Sequence, residues 1–402
     1  MFSIKMKNAM LSMAVLIGLS MGQAFAESAG LASPSKSTSQ TSARTSTHSK
    51  SQSTVHTGKS AKTTKASATK SRRHVSRWRV SSYGNPTEGD NPAGEDPNVR
   101  EAAVEGLGNW NGSAVVVDPN TGRILSIVNQ KVALSSAVPP CSTFKPIVGL
   151  AALKEGIITP ETKIRVGRRK SLDLTEALSH SNNRFFAKLG QSLGFDRLKA
   201  IGQRFGFGEK SGVDIPGEIA GRFPLTYPKE AGVGLMSSHG KSIDATPLQM
   251  AAAMSAIANG GTLYELQYPR TPEEIESLQP HVREHLDDLT EYFPQVKQGL
   301  AATVLYGTGH HAYDPSADWQ VLGKTGSCSE NGTRLGWFVS YSAEPDPKYV
   351  VVVLIRGGRI VFGPTAADIA GKIYHGLRQR EQAPAQATAS SPAFATILKS
   401  SF

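Results

Sequence analysis

Residues 139–153 read Pro139-Pro140-Cys141-Ser142-Thr143-Phe144-Lys145-Pro146-Ile147-Val148-Gly149-Leu150-Ala151-Ala152-Leu153. A serine with a lysine three residues on, leading into an apolar run, places both polar side chains on one face at the start of a buried helix. A serine hydroxyl attacks poorly at neutral pH and needs a base beside it. A lysine drawn into apolar surroundings and near other cations holds its proton less tightly and can be that base. At a helix start, Ser142 would also meet free N–H groups and the positive end of the helix dipole, which favour developing negative charge. A capping serine followed by a solvated lysine is the plainer reading of such a spacing. The stretch Pro146 to Leu153 argues against it here, because a surface lysine does not lead into an apolar helix.

Two later triplets extend the pattern. Ser181-Asn182-Asn183 offers a hydroxyl that can relay a proton between base and leaving group, and an amide that can hold both substrate and lysine. The same residues could open a helix as caps ahead of Arg184 to Leu189, and the two roles are compatible. Lys324-Thr325-Gly326 closes an apolar strand that starts at Val321. Its lysine and hydroxyl suit a substrate carboxylate, and Gly326 leaves room for a substrate backbone along the strand. The N–H groups of Ser142 and Ser327 would together form an oxyanion hole, each donor being worth about 3 kcal/mol in a transition state. Single triplets are weak signals, and the chain holds imitators. Ser33, Ser67 and Ser238 also precede a lysine by three; Lys210-Ser211-Gly212 copies the third triplet and Ser329-Glu330-Asn331 the second. They lie in low-complexity sequence, in the wrong order or in the wrong setting.

The rest of the chain frames this core. Residues 1–26 carry Lys5 and Lys7, an apolar run from Leu11 to Met21 and a small-x-small site at Ala24-Phe25-Ala26, the pattern of a cleaved secretory signal peptide. No cysteine follows it to carry a lipid, and export to the periplasm or cell envelope is expected. Residues 27–95 are Ser/Thr/Lys-rich and almost free of large apolar groups, so they read as a disordered basic linker. Residues 27–80 hold 11 Lys/Arg against one acidic residue, +10 of a total of +11. The leader adds +2 and the remainder carries −1. The basic character thus belongs to the linker, which could associate with an anionic membrane surface or acidic wall polymers, or serve as a solvated spacer. A neutral body on an exported chain excludes nucleic acid as a partner. Residues 379–402 read as a flexible C-terminal tail.

Within 96–378 the pattern is mixed. Ser113–Asp118 and Arg123–Val128 flank a Pro119-Asn120-Thr121-Gly122 turn and predict a hairpin. Three more strands are expected over 321–327, 334–342 and 348–355. Thr246-Pro247-Leu248-Gln249 predicts a capped helix that runs to Asn259-Gly260-Gly261. Residues 272–304 read as further helices. Strands at both ends with helices between them give an α+β fold: one sheet completed by distant segments, flanked by a helical lobe. No metal or other cofactor is expected, since His310 and His311 lack further ligands at suitable spacing.

Several segments together resemble the transpeptidase domain of penicillin-binding proteins, in the superfamily shared with serine β-lactamases. Pro140 to Pro146 is similar to that family's PGSTFKP segment. Phe205 to Gly208 with Gly212 to Glu218, Ala245 to Gly261 (ATPLQMAAAMSAIANGG) and Tyr306-Gly307-Thr308-Gly309 resemble further stretches of it. The likeness covers about 110 to 377. It implies an antiparallel sheet with flanking helices and a helical lobe, with the active site in the cleft between them. It also implies a D,D-transpeptidase acting on D-Ala-D-Ala peptidoglycan stem peptides through a Ser142 acyl-enzyme that β-lactam antibiotics trap. Lys145 and Ser181 would be catalytic, and Asn183, Lys324, Thr325 and Gly326 would bind substrate. Water as acceptor would make the same site a D,D-carboxypeptidase.

Two departures stand out. Cys141 replaces the usual glycine and Cys328 follows Ser327; these are the only two cysteines. Some class A carbapenemases bridge the same two places, and in an exported chain a Cys141–Cys328 disulfide is expected. The low-complexity tract before residue 95 also leaves no room for the glycosyltransferase domain or folded pedestal of multidomain members. A serine β-lactamase is the alternative reading, but the ExxLN segment that carries the deacylating base in class A is absent after Asn183. The YGN of class D occurs only at Tyr83-Gly84-Asn85, ahead of the nucleophile. A covalent β-lactam sensor without turnover is a third.

Overall fold

The computed structural model describes residues 78–389 except 213, 344 and 345. The leader, residues 27–77 of the linker and the tail beyond 389 lie outside the described residues. Helix α1 (Pro97–Leu107) precedes the hairpin of β1 (Gly112–Val117) and β2 (Ile124–Val128). The chain then forms α2 (Gln130–Ser135), a 3-10 turn (Cys141–Phe144) running directly into α3 (Lys145–Lys154), and a short ribbon of β3 (Ile164–Arg165) and β4 (Ser171–Leu172). Next come α4 (Leu174–Ser179), α5 (Asn183–Arg204), α6 (Gly232–His239) and α7 (Pro247–Ala258). β5 (Thr262–Tyr264), α8 (Pro272–Glu276), β6 (Val282–His285) and α9 (Phe293–Leu305) lead to three long strands. These are β7 (Gln320–Glu330), β8 (Thr333–Ala343) and β9 (Val350–Gly357), and α10 (Gly363–Ala389) follows.

The five-stranded antiparallel sheet has the order β2-β1-β9-β8-β7. Alternation along its central strands explains the layers. Val351, Val353 and Ile355 of β9, with Ala114 and Val116 of β1, pack against α1 and α10. Val350, Val352 and Leu354, with Val115 and Val117, face the helical lobe. A strand with side chains buried on both faces must be apolar throughout, which is why β9 reads Val-Val-Val-Val-Leu-Ile. α7 is the lobe's equivalent, with all twelve residues buried. Its start carries the expected capping box, in which Thr246 accepts from the Gln249 N–H and Gln249 accepts from the Thr246 N–H.

Three expectations need correction. Residues 272–304 are not helical segments alone, since β6 lies between α8 and α9: it pairs antiparallel with β5, and the Arg283–Glu265 and Arg204–Glu284 ion pairs tie it down. Residues 78–95 of the expected linker are folded onto the body. Trp78 packs on Gly358, Ser82 on Gly357 and Tyr83 on Trp110. Asp90 accepts the Asn129 and Gln130 N–H groups that open α2. Buried Glu95 accepts from Ser126, the Ile127 N–H and the Tyr268 hydroxyl. Composition hid this, because two aromatic rings and two carboxylates anchor a segment that is otherwise polar and rich in small residues. The helix α10 also continues through Ala389, past the point at which the tail was expected to begin.

Candidate active site

The nucleophile's turn is held from several sides. The Trp337 indole N–H donates to the Pro139 carbonyl at 3.0 Å, and both the N–H and hydroxyl of Thr143 donate to the Pro140 carbonyl. Cys141 has φ +54°, a left-handed conformation that costs a non-glycine residue about 1–3 kcal/mol. A disulfide joins it to Cys328 of β7, with a Cα–Cα distance of 5.8 Å. The last turn of α6 closes the remaining side, where a Cβ on Gly240 would come within 2.8 Å of Pro140 and 3.0 Å of the Cys141 nitrogen. Half-buried Ser142 is presented from this turn.

Lys145, fully buried at the start of α3, points to the second triplet. Its amine donates to the Ser181 carbonyl at 2.7 Å, the Ser181 hydroxyl at 3.1 Å and Asn183 Oδ1 at 2.6 Å, and lies over the Phe186 ring. Burial, and then the charge of Lys324, holds its pKa well below that of an ordinary lysine. This is the direction a general base requires. Ser181 also has positive φ, +53°, which turns its hydroxyl and carbonyl together toward the amine. Asn182 caps α5 by accepting the Phe185 N–H, so capping falls to the middle residue of the triplet and the outer two are free for chemistry.

The third triplet lies on β7, an edge strand whose outer backbone groups have no strand partner among the described residues. Lys324 is fully buried, donates to the Thr325 carbonyl, and has its pKa brought down to about 7 by burial. The Ser327 hydroxyl accepts the Gly363 N–H at 2.7 Å, tying the strand to the start of α10. Gly326 serves differently from the expectation. A Cβ there would meet the Pro140 carbonyl and Thr143 Cγ2, each at 3.0 Å, so the space that glycine leaves is filled by the nucleophile's own turn.

Two residues of this constellation escaped sequence reading. The Thr308 hydroxyl bonds that of Thr325 at 2.6 Å, while its N–H donates to the Ser179 carbonyl, tying the third triplet to the end of α4, just ahead of the second triplet. Gly307 permits this approach, since a Cβ there would lie 2.3 Å from the Ser179 carbonyl oxygen. His239, at the end of α6, bonds Asn183 Nδ2 through Nε2 at 3.0 Å and Ser238 Oγ through Nδ1 at 2.8 Å. The sequence signal for Thr308 was its place in the Tyr306–Gly309 segment. His239 had none beyond proximity to the imitator Ser238…Lys241. Of the other imitators, Ser211 and Gly212 donate to buried Glu218 and shape a loop, and Asn331 turns β7 into β8.

A presented serine, a buried lysine of lowered proton affinity, the Ser181 and Asn183 side chains bonded to it and a lysine on the edge strand make a set whose chemistry suits serine acyl transfer. Residues 112–375 match the penicillin binding protein transpeptidase domain family, and the chain belongs to that family. It is 30% identical over 314 residues to stage V sporulation protein D of Bacillus subtilis (strain 168), covering 65% of this chain and 48% of that one. Peptidoglycan D,D-transpeptidase PbpA of Mycolicibacterium smegmatis is 27% identical over 355 residues, 69% of each chain. Peptidoglycan D,D-transpeptidase MrdA of Haemophilus influenzae is 28% identical over 296 residues, 59% of this chain and 44% of that one. The chain thus spans about half the length of several curated relatives it matches. Among solved structures, the transpeptidase domain of Burkholderia pseudomallei penicillin-binding protein 3 superposes with a TM-score of 0.61 at 23% identity, covering 72% of this chain and 96% of that one. The D,D-transpeptidase domain of a peptidoglycan glycosyltransferase from Eggerthella lenta gives 0.57 at 23% identity, covering 71% and 82%. These likenesses establish the fold.

Proposed function

We propose that this protein is a peptidoglycan D,D-transpeptidase. The observation that carries the reading is the Lys145 amine: buried, low in proton affinity, three residues from Ser142 and hydrogen-bonded to both outer residues of the second triplet. Ser142 Oγ attacks the carbonyl between the two D-alanines as Lys145 takes its proton. The oxyanion rests on the Ser142 and Ser327 N–H groups. Ser181 passes a proton to the departing D-alanine amine, leaving an ester on Ser142. An acceptor amine then attacks the ester, forms the new peptide bond and frees the serine. Lys324, Thr325 and Asn183 hold the donor peptide, whose extended backbone pairs with the open edge of β7. A β-lactam follows the same first step, but its leaving group stays attached.

The chain is organised for work outside the cytoplasm: an export leader at 1–26, a basic tether from 27 that engages anionic lipid or acidic wall polymer, and one catalytic domain. The leader's residue pattern and the charge of the tether support this part of the reading. Among the described residues, no helix is long and apolar enough to cross a membrane.

The test is incubation of the purified protein with a stem peptide ending in D-Ala-D-Ala, with and without an acceptor amine, followed by product analysis. A cross-linked product with release of one D-alanine is expected, and Ser142→Ala should abolish it. Hydrolysis alone, even with acceptor in excess, would make the protein a carboxypeptidase. Rapid multiple-turnover hydrolysis of penicillin without peptide products would make it a β-lactamase.

A further inference from the structure

The hydrogen bonds around His239 have one consistent direction. Lys145 donates to Asn183 Oδ1, which turns the Asn183 amide nitrogen, a donor only, toward His239 Nε2 at 3.0 Å. Nε2 must therefore accept, and the neutral ring carries its proton on Nδ1. That proton meets Ser238 Oγ at 2.8 Å, and the Ser238 hydroxyl in turn donates to the Gly234 carbonyl at 2.6 Å. Gly234 and Ser238 are one turn apart on α6, so the chain of donors ends on that helix's own backbone. A second proton on the ring would set two donors against each other at Nε2.

Resting on the catalytic reading above, we propose that His239 is a positioning residue: its neutral Nε2 holds the Asn183 amide, and through it the Lys145 amine, in the geometry for acylation. Protonation of the ring releases that amide and silences the site. Among the described residues, these groups act on the ring. From α3 comes the Lys145 amine, whose positive charge opposes a second charge on the imidazole. From α5 comes the neutral Asn183 amide, and from α6 itself the Ser238 hydroxyl. Lys324 of β7 acts on Lys145. Burial and then Lys145 keep the imidazole's pKa below its ordinary value, so the accepting form prevails at neutral pH and is lost on acidification.

The experiment has two arms on the full chain. Nitrogen NMR of the ring should find neutral His239 protonated on Nδ1; a ring protonated on Nε2 overturns the proposal. In the second arm, penicillin acylation is timed for wild type, His239→Leu and His239→Gln. At pH 7.5 H239L should acylate about tenfold more slowly, and H239Q, whose amide oxygen can accept from Asn183, should recover most of that loss. Below the imidazole's measured pKa the wild-type rate should fall relative to H239Q by about tenfold per pH unit, with the Lys145 titration followed in each variant because its charge and that of the ring oppose one another. A flat ratio, or an H239L rate equal to wild type, overturns the proposal while the catalytic reading stands. Wild type that takes no penicillin at all overturns both.

Discussion

The two walls of the candidate site are held by different physics. On the sheet side, a disulfide, an indole hydrogen bond and close glycine contacts fix the nucleophile's turn against β7. On the lobe side, Lys145, Ser181, Asn183, His239 and Ser238 are held by hydrogen bonds whose direction depends on who carries the protons. Each wall also holds one non-glycine residue at positive φ, Cys141 and Ser181, so both store strain at the residues that present the chemistry. The sheet wall should therefore respond to reduction and to packing changes, and the lobe wall to pH through Lys145 and His239, with Lys324 of β7 the one titrating group the sheet side adds to the site.

The hardest blow to the lobe wall is Lys145→Met, which fills a similar volume without a base. Penicillin acylation should fall about 10³-fold, within the range of general-base removal, while the melting temperature changes little, because relief of the buried amine's desolvation is offset by loss of its hydrogen bonds to Ser181 and Asn183. A small loss of rate would move the base elsewhere.

The pH profile of acylation by free enzyme comes next. Lys145 must be neutral to accept a proton, so the rate climbs as pH rises through its lowered pKa. Lys324 must be charged to hold a carboxylate, so the rate declines as pH passes about 7. A bell is expected, falling about tenfold per pH unit on its alkaline arm, and Lys324→Arg should push that arm upward. An alkaline arm that ignores K324R would assign the decline to another group.

The sheet wall breaks by a different route. Removing the disulfide as Cys141→Ser with Cys328→Ser should cost about 2–4 kcal/mol by urea unfolding. Cys141→Gly with Cys328→Ser should recover about 1 kcal/mol, since glycine accepts the left-handed conformation at 141. Neither variant should shift the acid-side midpoint of the pH profile, which belongs to Lys145 on the lobe wall. If they do, the walls are not independent. Thr308→Val is the gentlest test: losing its hydrogen bond to Thr325 should slow acylation about fivefold, close to one ordinary hydrogen bond.

Chemistry-bearing residues were the easiest to read. Serine, lysine and asparagine in fixed order are what acyl transfer needs, and local spacing determines which share a turn. Capping was legible for the same reason: Thr246 and Gln249 find each other within one helix turn. Features made by tertiary approach were not. His239 meets Asn183 across 56 positions because α6 packs on α5, and no local pattern encodes that. Thr308 lay in a segment that resembled the family, without a role until β7 was placed beside it. The glycine of the third triplet was read as making room for substrate, whereas the fold brings Pro140 there. Residues 78–95 looked like linker because their anchors are a few aromatic and acidic side chains among many small polar ones.

The most direct measurement is mass spectrometry of the intact protein after brief exposure to penicillin G, followed by peptide mapping. The account predicts one added penicilloyl group per chain, on the peptide containing Ser142, stable for many minutes and absent from Ser142→Ala. An adduct on another residue, or none on a folded chain with its disulfide intact, would contradict it.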